Sequence, residues 1–477
     1  MDRSPVRTIL FTLAALVFPV SFLNAQIDAP ARQLSRDLLK QLIEINTTDS
    51  VGNTTVAADA MAKRLRDAGF PESDVVVLGP NDRKGNMVAR LHGTGAHKPV
   101  LLIGHLDVVE ARRSDWTYDP FQLVEKDGYF YGRGTQDMKS DDAIWVAEFI
   151  RLKQEGFKPD RDLILALTAD EEGGSFNGID WLIKNHRDLV DAEFVLNSDG
   201  GGVDTENGKP VIVSMDASEK LYADFQLLVT NPGGHSSLPV RDNAIYHLTD
   251  ALGRLEHYQF PVELNDITRT YFERMAAIET GQRAADMRSI LKHPPDAAAV
   301  GRLSLDPIQN STLRTTCVAT RLDAGHANNA LPQSAKANVN CRILPGHTRE
   351  EVRRTLIRIF NDPKVEVGYD EHGRILDRAP DAKALPPVKL RPEVMRALDQ
   401  IAGEIWPGTP VIPTMATGAS DGVYTNAAGM PTYGISGMGI DTNDLRAHGR
   451  DERIRVEAFY QAVDFYYRFL KALTSGQ

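Results

Sequence analysis

Apolar residues along the first half of the chain form short continuous runs separated by segments of helical periodicity. The runs lie at residues 75–78, 87–91, 100–103, 163–168 and 194–196, and each has the length of a strand. Segments 37–45, 55–68, 142–154 and 179–185 space their apolar residues as helices packed on one face do. This alternation predicts an α/β domain with a mostly parallel sheet sandwiched by helices.

The pattern changes after residue 216 to strands in which apolar and polar residues alternate. Such strands are predicted at 222–229, 315–322 and 335–343, with helices at 244–255 and 349–360. The order β-α-β-β-α-β resembles a split ferredoxin-like unit, which is an α+β fold. A polar helical stretch at 266–291 interrupts this unit, and we interpret it as an insertion.

Helical and strand-like segments resume after residue 385 and end in an amphipathic helix. We therefore predict that residues 26–216 and 386–477 form one α/β domain, which a smaller domain at 217–385 interrupts. The first 25 residues are separate from both domains.

The segment 1–25 has the pattern of a secretory signal peptide. Arg3 and Arg7 precede an apolar run from Ile9 to Leu23, and the small residue Ala25 marks the expected cleavage point. The run is shorter than the ~18 to 20 apolar residues that a membrane span needs. We therefore expect a periplasmic or secreted protein with no membrane contact after cleavage.

Composition and charge narrow the range of partners. The 477 residues include 54 Lys and Arg against 65 Asp and Glu, a formal net charge of −11. This excess of negative charge argues against nucleic acid as a partner. With 42% hydrophobic and 25% charged residues, the composition is that of an ordinary globular protein.

The two cysteines, Cys317 and Cys341, lie on predicted neighbouring strands. Pairing these strands across the intervening loop places the cysteines nearly opposite each other. Strand alternation, however, puts Cys341 on the face of Val339 and Cys317 on the face away from Val318. Export permits a disulfide, and the sequence leaves a disulfide and two free thiols equally open.

Candidate metal ligands follow several of the predicted strands. The carboxyl ends of parallel strands meet at one edge of a sheet, where α/β proteins bind ligands. Neighbouring carboxylates repel one another unless a cation lies among them. Carboxylates mixed with imidazoles, without cysteine, suit zinc, cobalt or manganese in an open hydrolytic site. The candidates are His105, Asp137, Glu171, Glu172, Asp199 and His448, and Asp107 is a carboxylate that could fix the orientation of the His105 ring.

Nine motifs occur in the same order as in a known family. They are GHLDVV, WTYDPF, DGYFYGRGTQDMK, DEEGG, NSDGGG, GGHSSLP, NALP, CRILPG and AHGRDERI. With these motifs the chain resembles the co-catalytic dinuclear zinc exopeptidases and deacylases, which include aminoacylase, carboxypeptidase S, glutamate carboxypeptidase, acetylornithine deacetylase and succinyl-diaminopimelate desuccinylase. The resemblance implies a zinc exopeptidase-like catalytic domain interrupted by a ferredoxin-like lid or dimerisation domain.

The resemblance also implies a role for each candidate residue. His105, Asp137 and Asp199 would hold one Zn²⁺, while Asp137, Glu172 and His448 would hold a second, with Co²⁺ or Mn²⁺ as alternatives. Asp107 would orient His105. Glu171 would be the general base that takes a proton from the attacking water.

The smaller domain would add residues on the substrate side. By resemblance, His235 of GGHSSLP stabilises the developing oxyanion, often from the partner subunit of a homodimer. Asn329 and Arg342 would lie near the substrate, where Arg342 could bind a carboxylate, although an exposed strand arginine is an equal alternative. Gly418 in GASDG would belong to a substrate-side loop, or to a flexible turn.

We therefore expect a secreted dinuclear zinc hydrolase that cleaves an amide bond in a dipeptide, at a peptide C-terminus or in an N-acyl amino acid. One alternative is a deacylase restricted to a single N-acyl amino acid. Another is a noncatalytic binding protein with the same fold. The complete set of predicted ligands, together with Glu171, favours the enzyme over the binding protein.

Overall fold

In the computed structural model of the chain, residues 29–371, 373–380, 388–418 and 420–476 are described. The predicted signal peptide at 1–25 and the predicted domain boundary at 386 lie outside these ranges. No helix within the described ranges is both long enough and apolar enough to cross a membrane.

The helices and strands are as follows. The helices are α1 (Ala29–Ile43), α2 (Thr54–Asp67), α3 (Lys139–Gln154), α4 (Gly178–Asn185), α5 (Arg187–Val190), α6 (Ala244–His257), α7 (Asp266–Ile278), α8 (Gly281–Ile290), α9 (Ala297–Leu303), α10 (Pro307–Leu313), α11 (Arg349–Phe360), α12 (Pro392–Ile405), α13 (Gly422–Ala427) and α14 (Val456–Thr474). The strands are β1 (Val75–Leu78), β2 (Asn86–Leu91), β3 (Val100–His105), β4 (Val124–Lys126), β5 (Tyr129–Tyr131), β6 (Leu163–Thr168), β7 (Phe194–Asn197), β8 (Gly202–Glu206), β9 (Lys209–Glu219), β10 (Leu221–Thr230), β11 (Gly234–His235), β12 (Thr316–Ala324), β13 (Ala330–Leu331), β14 (Ser334–Ile343), β15 (Glu366–Glu371), β16 (Arg374–Leu376), β17 (Val411–Ala416), β18 (Thr432–Gly434), β19 (Gly439–Asp441) and β20 (Arg453–Arg455).

A large mixed sheet forms the centre of the fold. Its strand order is β1-β2-β6-β3-β7-β18-β9-β8-β19, and β17 also pairs with β9. The central strands β6, β3, β7 and β18 run parallel to one another, so their carboxyl ends lie at one edge. The predicted α/β fold with a mostly parallel centre is confirmed, and antiparallel pairs occur toward the margins.

Helices cover both faces of this sheet, which explains why its central strands are continuous apolar runs. On β3, Leu102 packs into the core formed with α1, α3 and α14, while Leu101 packs into the core formed with α4. Successive strand residues point to opposite faces, and each finds an apolar environment. The polar residues of the candidate site therefore lie where the strands end.

A smaller antiparallel sheet has the order β12-β14-β10-β15-β16. The elements β10, α6, β12, β14, α11 and β15 follow one another in the chain as β-α-β-β-α-β, which agrees with the predicted split ferredoxin-like order. Helices α6 and α11 pack on one face of the sheet, where Leu248 and Leu356 meet Phe225 and Val339. The strand β12 forms one edge.

The predicted insertion at 266–291 forms helices α7 and α8, and the helical insertion continues beyond the predicted bounds with α9 and α10. They form their own apolar cluster, in which Phe272 and Leu313 pack with Ile412 of β17. Arg274 Nη1 also donates a hydrogen bond to the carbonyl of Val411, at 2.6 Å. The insertion therefore packs against the larger sheet, although its sequence lies within the smaller domain.

Lys220 is the single residue between β9 of the large sheet and β10 of the small one. Its side chain is buried, and its Nζ donates hydrogen bonds to Ser311 Oγ at 3.1 Å and to the Arg314 carbonyl at 2.7 Å. Burial lowers the pKa of Lys220 to about 7. The chain crossing between the two sheets is thus tied to the end of the helical insertion.

Cys317 and Cys341 form a disulfide, so the alternative of two free thiols is not what the structure shows. The two residues lie directly opposite each other in the pairing of β12 with β14. A register shift between Ala319 and Arg321 interrupts the strand alternation just beyond this pair. Val318 and Leu322 are mostly exposed, at 59% and 62%, because β12 is an edge strand.

Glu148 in α3 is a glutamate buried in the protein interior. Its side chain is fully buried, neither carboxylate oxygen has a hydrogen-bond partner among the described residues, and the nearest cation, Arg151 Nη1, is 3.9 Å away. Burial raises the pKa of Glu148 from 4.5 to about 8. The folded state therefore favours the protonated acid, and the charge destabilises it increasingly from pH 4.5 up to about 8.

We expect Glu148→Gln to stabilise the protein more at pH 8 than at pH 4.5. The difference in the free energy of unfolding between the variant and the unaltered protein should be larger at pH 8 by roughly 1–3 kcal/mol. Urea unfolding of both proteins at the two pH values measures this difference. Glu457→Gln, which changes an exposed glutamate of α14, is the control and should show no such dependence. An equal effect of Glu148→Gln at both pH values would contradict the conclusion that ionisation of Glu148 destabilises the folded state.

Candidate metal centre and active site

The end of β3 places a histidine at the carboxyl edge of the large sheet. His105 is buried, and its Nδ1 donates to the backbone carbonyl of Asp107, at 3.0 Å. This bond leaves Nε2 free to face Asp137 Oδ1, also at 3.0 Å. The predicted orienting residue therefore acts through its carbonyl, since the Asp107 carboxylate is 3.8 Å from Nδ1.

The carboxylate of Asp107 has a different contact. Its two oxygens accept hydrogen bonds from the backbone N–H groups of Glu171, at 3.1 Å, and Glu172, at 3.0 Å. Asp107 thus fixes the turn that follows β6, on which both glutamates lie. The neighbouring Asp170 forms an ion pair with Lys84 Nζ, so one of the three consecutive acids is neutralised within the protein.

Asp137 lies in the glycine-rich turn before α3. Glu452 binds the backbone of this turn. Glu452 is buried, pairs with Arg133 Nη1 at 2.6 Å, and accepts the backbone N–H of Asp137 at 3.1 Å and that of Gln136 at 2.7 Å. Gln136 Oε1 in turn accepts two backbone N–H groups of the segment that leads to His448. The turn bearing Asp137 and the segment bearing His448 are therefore bonded together.

The predicted ligands meet in two groups that share one residue. In each group, one possible ligand atom per residue lies within 4.8 Å of the others. Asp137 belongs to both groups, and its Oδ2 is 3.0 Å from His448 Nε2, which is also 2.8 Å from Glu172 Oε1. The first triad is His105, Asp137 and Asp199, and the second triad is Asp137, Glu172 and His448.

The donor chemistry of both triads fits a catalytic divalent metal. Each triad offers imidazole nitrogen and carboxylate oxygen, and neither includes a cysteine. Three protein ligands per metal is the number found in open catalytic zinc sites, and a shared carboxylate suits a two-metal centre. Zinc is one metal that this donor set accepts, and manganese or cobalt is another.

The pKa values in the site show an excess of negative charge. Burial raises the pKa of Glu171 to about 8 and that of Glu172 to about 7, and neighbouring carboxylates add to both shifts. The hydrogen bond to Asp137 raises the pKa of His448 to about 9. Burial opposes protonation of His105, but its bond to Asp137 raises the pKa of the imidazole well above its usual value. Two divalent cations would neutralise this charge.

Glu171 lies beside the triads without belonging to either. Its side chain is mostly buried, and its Oε2 is 4.0 Å from His105 Nε2. Glu172 is therefore part of a triad and Glu171 is not, and their roles as ligand and base stay a prediction.

The residues predicted on the substrate side fall into three places. His235 and Asn329 come together where β11 pairs with β13, and the His235 ring is exposed and bonded to Ser237 Oγ at 2.8 Å. Arg342 lies on β14 with its guanidinium over the ring of Tyr222, at 4.7 Å. Gly418 lines a cavity beside Asp199. Among the described residues, His235 makes no hydrogen bond or ion pair with either triad.

Two buried acids that support the site were not predicted. Glu452 is one, and Asp421 is the other. Asp421 accepts hydrogen bonds from Asn177 Nδ2 at 2.6 Å and from Thr168 Oγ1 at 3.1 Å, and its charge contributes to the raised pKa of Glu171. Glu452 lies in the motif AHGRDERI and Asp421 in GASDG. Their presence in these motifs was the signal that could have identified them.

Comparison with known proteins shows the family of the chain. The sequence model of peptidase family M20/M25/M40 matches residues 101–472. The chain is 30% identical over 390 residues to a Dictyostelium discoideum protein named "Probable carboxypeptidase S-like 2", covering 78% of this chain and 71% of that protein. It is 28% identical over 389 residues to human N-fatty-acyl-amino acid synthase/hydrolase PM20D1, covering 80% and 75%.

Solved structures show the same fold. An M20 family metallo-carboxypeptidase from Sulfolobus solfataricus superposes with a TM-score of 0.67 at 18% identity, covering 92% of this chain and 99% of that one. Human carnosine dipeptidase 1 superposes with a TM-score of 0.62 at 17% identity, covering 94% and 97%.

The fold and the paired triads define a metal-dependent hydrolase. The chain belongs to peptidase family M20/M25/M40, whose members named here include both peptidases and hydrolases of N-acyl amino acids. The expected resemblance to the family of exopeptidases and deacylases is confirmed.

We expect Asp107→Asn to lower kcat/KM by about 10- to 100-fold, together with metal affinity. An amide retains only one acceptor oxygen, so one of the two backbone N–H groups of Glu171 and Glu172 loses its partner. Metal content and kcat/KM are measured on the same preparation. Asp115→Asn, in an exposed turn of the same loop, is the matched control. Full activity and metal content in Asp107→Asn would contradict this positioning role.

Proposed function

We propose that this protein is a dinuclear zinc hydrolase that cleaves an amide bond in dipeptides, at peptide C-termini or in N-acyl amino acids, with Glu171 as the general base. The observation that supports this most directly is the pair of triads joined at Asp137, with a glutamate beside them that belongs to neither. A purely structural metal site would be closed and would need no such extra carboxylate.

Bound metals would polarise the scissile carbonyl and lower the pKa of water at the site. His105, Asp137 and Asp199 would hold one metal, and Asp137, Glu172 and His448 the other. The Asp107 carboxylate keeps the backbone of Glu171 and Glu172 fixed. The Glu171 carboxylate would accept the proton of the attacking water and deliver it to the leaving amine.

The relatives support two substrate classes within this range. The relative named for carboxypeptidase S supports a peptide, and the relative named for N-fatty-acyl amino acids supports an N-acyl amino acid. Both classes contain a free carboxylate next to the amide, which Arg342 would bind. Amine release by the zinc-loaded protein across dipeptides, longer peptides and N-acyl amino acids distinguishes them.

We expect Glu171→Gln to bind two metals per chain and to lose turnover by about 10²- to 10⁴-fold, because the amide cannot accept the proton. Glu172→Gln, one residue away, should instead lose metal. Metal analysis and amine release on the same samples separate the two effects. Near-normal turnover in Glu171→Gln would rule out its role as the base.

We also propose a homodimer in which His235 reaches the active site of the partner subunit. The ring of His235 is exposed, and its described contacts are with Ser237 rather than with the triads. The edge strand β12 has exposed apolar side chains, Val318 and Leu322, which favour burial against a second chain. A histidine at the substrate carbonyl would stabilise the oxyanion.

Mixing two inactive variants tests this arrangement. A heterodimer of Glu171→Gln with His235→Ala contains one site in which both residues are intact. About half of the dimers in a random mixture are heterodimers, so the mixture should recover about a quarter of the activity of the unaltered dimer. Sedimentation of the mixture verifies that dimers are present. Heterodimers without recovered activity would contradict a contribution of His235 to the partner's site.

Export and cleavage after Ala25 remain part of the proposal. Their support is the sequence pattern of residues 1–25 alone, because these residues lie outside the described part of the chain. A peptide-scavenging role outside the cytoplasm would fit an exported hydrolase.

A further inference from the structure

A cavity of about 150 Å³ adjoins the first triad. Asp199, a residue of that triad, forms one part of its wall, and Gly418 and Ser420 form another. Two further acids, Asp216 and Glu219 of β9, also line it. A group of the substrate that extends from the metal centre can therefore enter a space with three carboxylates in its wall.

None of these three carboxylates forms an ion pair with a Lys, Arg or His within the described part of the chain. The nearest basic residue in sequence, Lys220, directs its Nζ to Ser311 and the Arg314 carbonyl in the helical insertion. Metal binding would neutralise Asp199, but Asp216 and Glu219 belong to neither triad. The cavity wall thus contains two acids that no basic residue in the described part of the chain pairs with.

Asp216 and Glu219 differ in how completely they are bonded. Asp216 accepts hydrogen bonds at both oxygens, from Thr414 Oγ1 at 2.6 Å and from the Gly201 N–H at 2.9 Å. Glu219 Oε2 accepts from the N–H and Oγ of Ser420, at 2.9 and 3.0 Å. Glu219 Oε1, however, is buried and has no hydrogen-bond partner in the described residues.

Gly422 leaves room for the unpaired oxygen of Glu219. A Cβ atom added at Gly422 would come within 2.7 Å of Oε1, so a larger residue there would displace the carboxylate. A buried acceptor without a partner destabilises the fold, and the effect is larger when the acceptor is charged. Burial raises the pKa of Glu219 to about 7, which is the expected shift for a carboxylate without a nearby cation.

An organic cation suits the unpaired oxygen of Glu219 better than a bare metal ion does. Among the described residues, the two triads are the only groups of three or more His, Asp or Glu residues whose ligand atoms approach closely enough to share one ion, and Glu219 belongs to neither. An ammonium or guanidinium group on an organic molecule can instead donate hydrogen bonds to separated carboxylates. A second, smaller cavity meets the first at Ser218 and Glu219 and has apolar walls at Leu221 and Val423, which suits an aliphatic chain.

We propose that this cavity binds a positively charged group of the substrate, an ammonium or a guanidinium, and that Glu219 is the residue that selects it. This inference rests on the proposed hydrolase function. It restricts the substrates to peptides or acyl amino acids that contain a basic side chain or a free α-ammonium group.

Matched substrates test the charge directly. One arm compares lysine with norleucine at each position of the dipeptide and N-acyl panels, and a second compares free with N-acetylated dipeptides. We expect kcat/KM to favour the charged member of one arm by about 10- to 100-fold, the factor of one charge-assisted hydrogen bond. A preference in the first arm identifies a side-chain cation, and a preference in the second identifies the α-ammonium. Equal rates in both arms overturn the proposal.

Variants assign the preference to Glu219. Glu219→Gln should reduce the ratio of kcat/KM between charged and neutral substrates to about one-tenth of its original value or less. Glu206→Gln, which changes an exposed glutamate of β8 outside the cavity, should leave the ratio as it was. An unchanged ratio in a folded Glu219→Gln protein overturns the assignment.

A binding measurement separates this inference from the hydrolase proposal. Lysine, arginine and norleucine are titrated into the zinc-loaded protein by calorimetry, with N-acetylnorleucine as the probe that has neither an α-ammonium nor a basic side chain. Binding of any of the three free amino acids that N-acetylnorleucine does not match, and that Glu219→Gln weakens, supports the cation site even if no amide on the panel is cleaved. Equal affinities for all four probes overturn the inference, whatever the hydrolase activity.

Discussion

The concentration of carboxylates at one edge of the large sheet is the constraint on which the rest of the structure depends. Asp137, Glu171, Glu172 and Asp199 lie within a few ångströms of two histidines, and their mutual repulsion would disperse flexible loops. Two further buried acids hold the loops in place. Asp107 accepts the backbone N–H groups of Glu171 and Glu172, and Glu452 accepts those of the turn that bears Asp137. Charged acceptors bonded to backbone donors stabilise a geometry that side-chain contacts alone would not.

The connection between the two sheets follows a similar principle. Lys220, between β9 and β10, has its ammonium group on Ser311 and on the Arg314 carbonyl. The helical insertion that supplies these partners also packs on Ile412 of β17, which pairs with β9. The strand β9, which lines the cavity beside Asp199, is therefore held by the insertion at its end and through β17. The polar sequence of the insertion does not predict this role.

The sequence was most informative where chemistry coincides with strand ends. The ligands of both triads were predictable because continuous apolar runs end at His105, at the acids after β6 and at Asp199, and because the motifs resemble a known family. The supporting residues were less predictable. Glu452 accepts the N–H of Asp137 across 315 positions of sequence, and although it lies in the motif AHGRDERI, the motif does not show which backbone groups it contacts.

Local irregularity set another limit on prediction. Strand alternation left the pairing of Cys317 with Cys341 undecided, because alternation assumes a regular strand. The register shift between Ala319 and Arg321 breaks that regularity, and the exposure of Val318 follows from the edge position of β12. Pairing partners and bulges depend on which strands become neighbours, and a pattern along one strand does not contain that information.

The order of the site residues along the chain has a consequence for biosynthesis. His448 lies 311 positions after Asp137 and 276 after Glu172, and the helix α14 that completes the main core follows it. A ribosome-bound or truncated chain that ends before His448 contains the first triad but only part of the second. Such a chain cannot form the second triad, so a metal that needs this triad would bind only after His448 has been made and folded against Asp137 and Glu172.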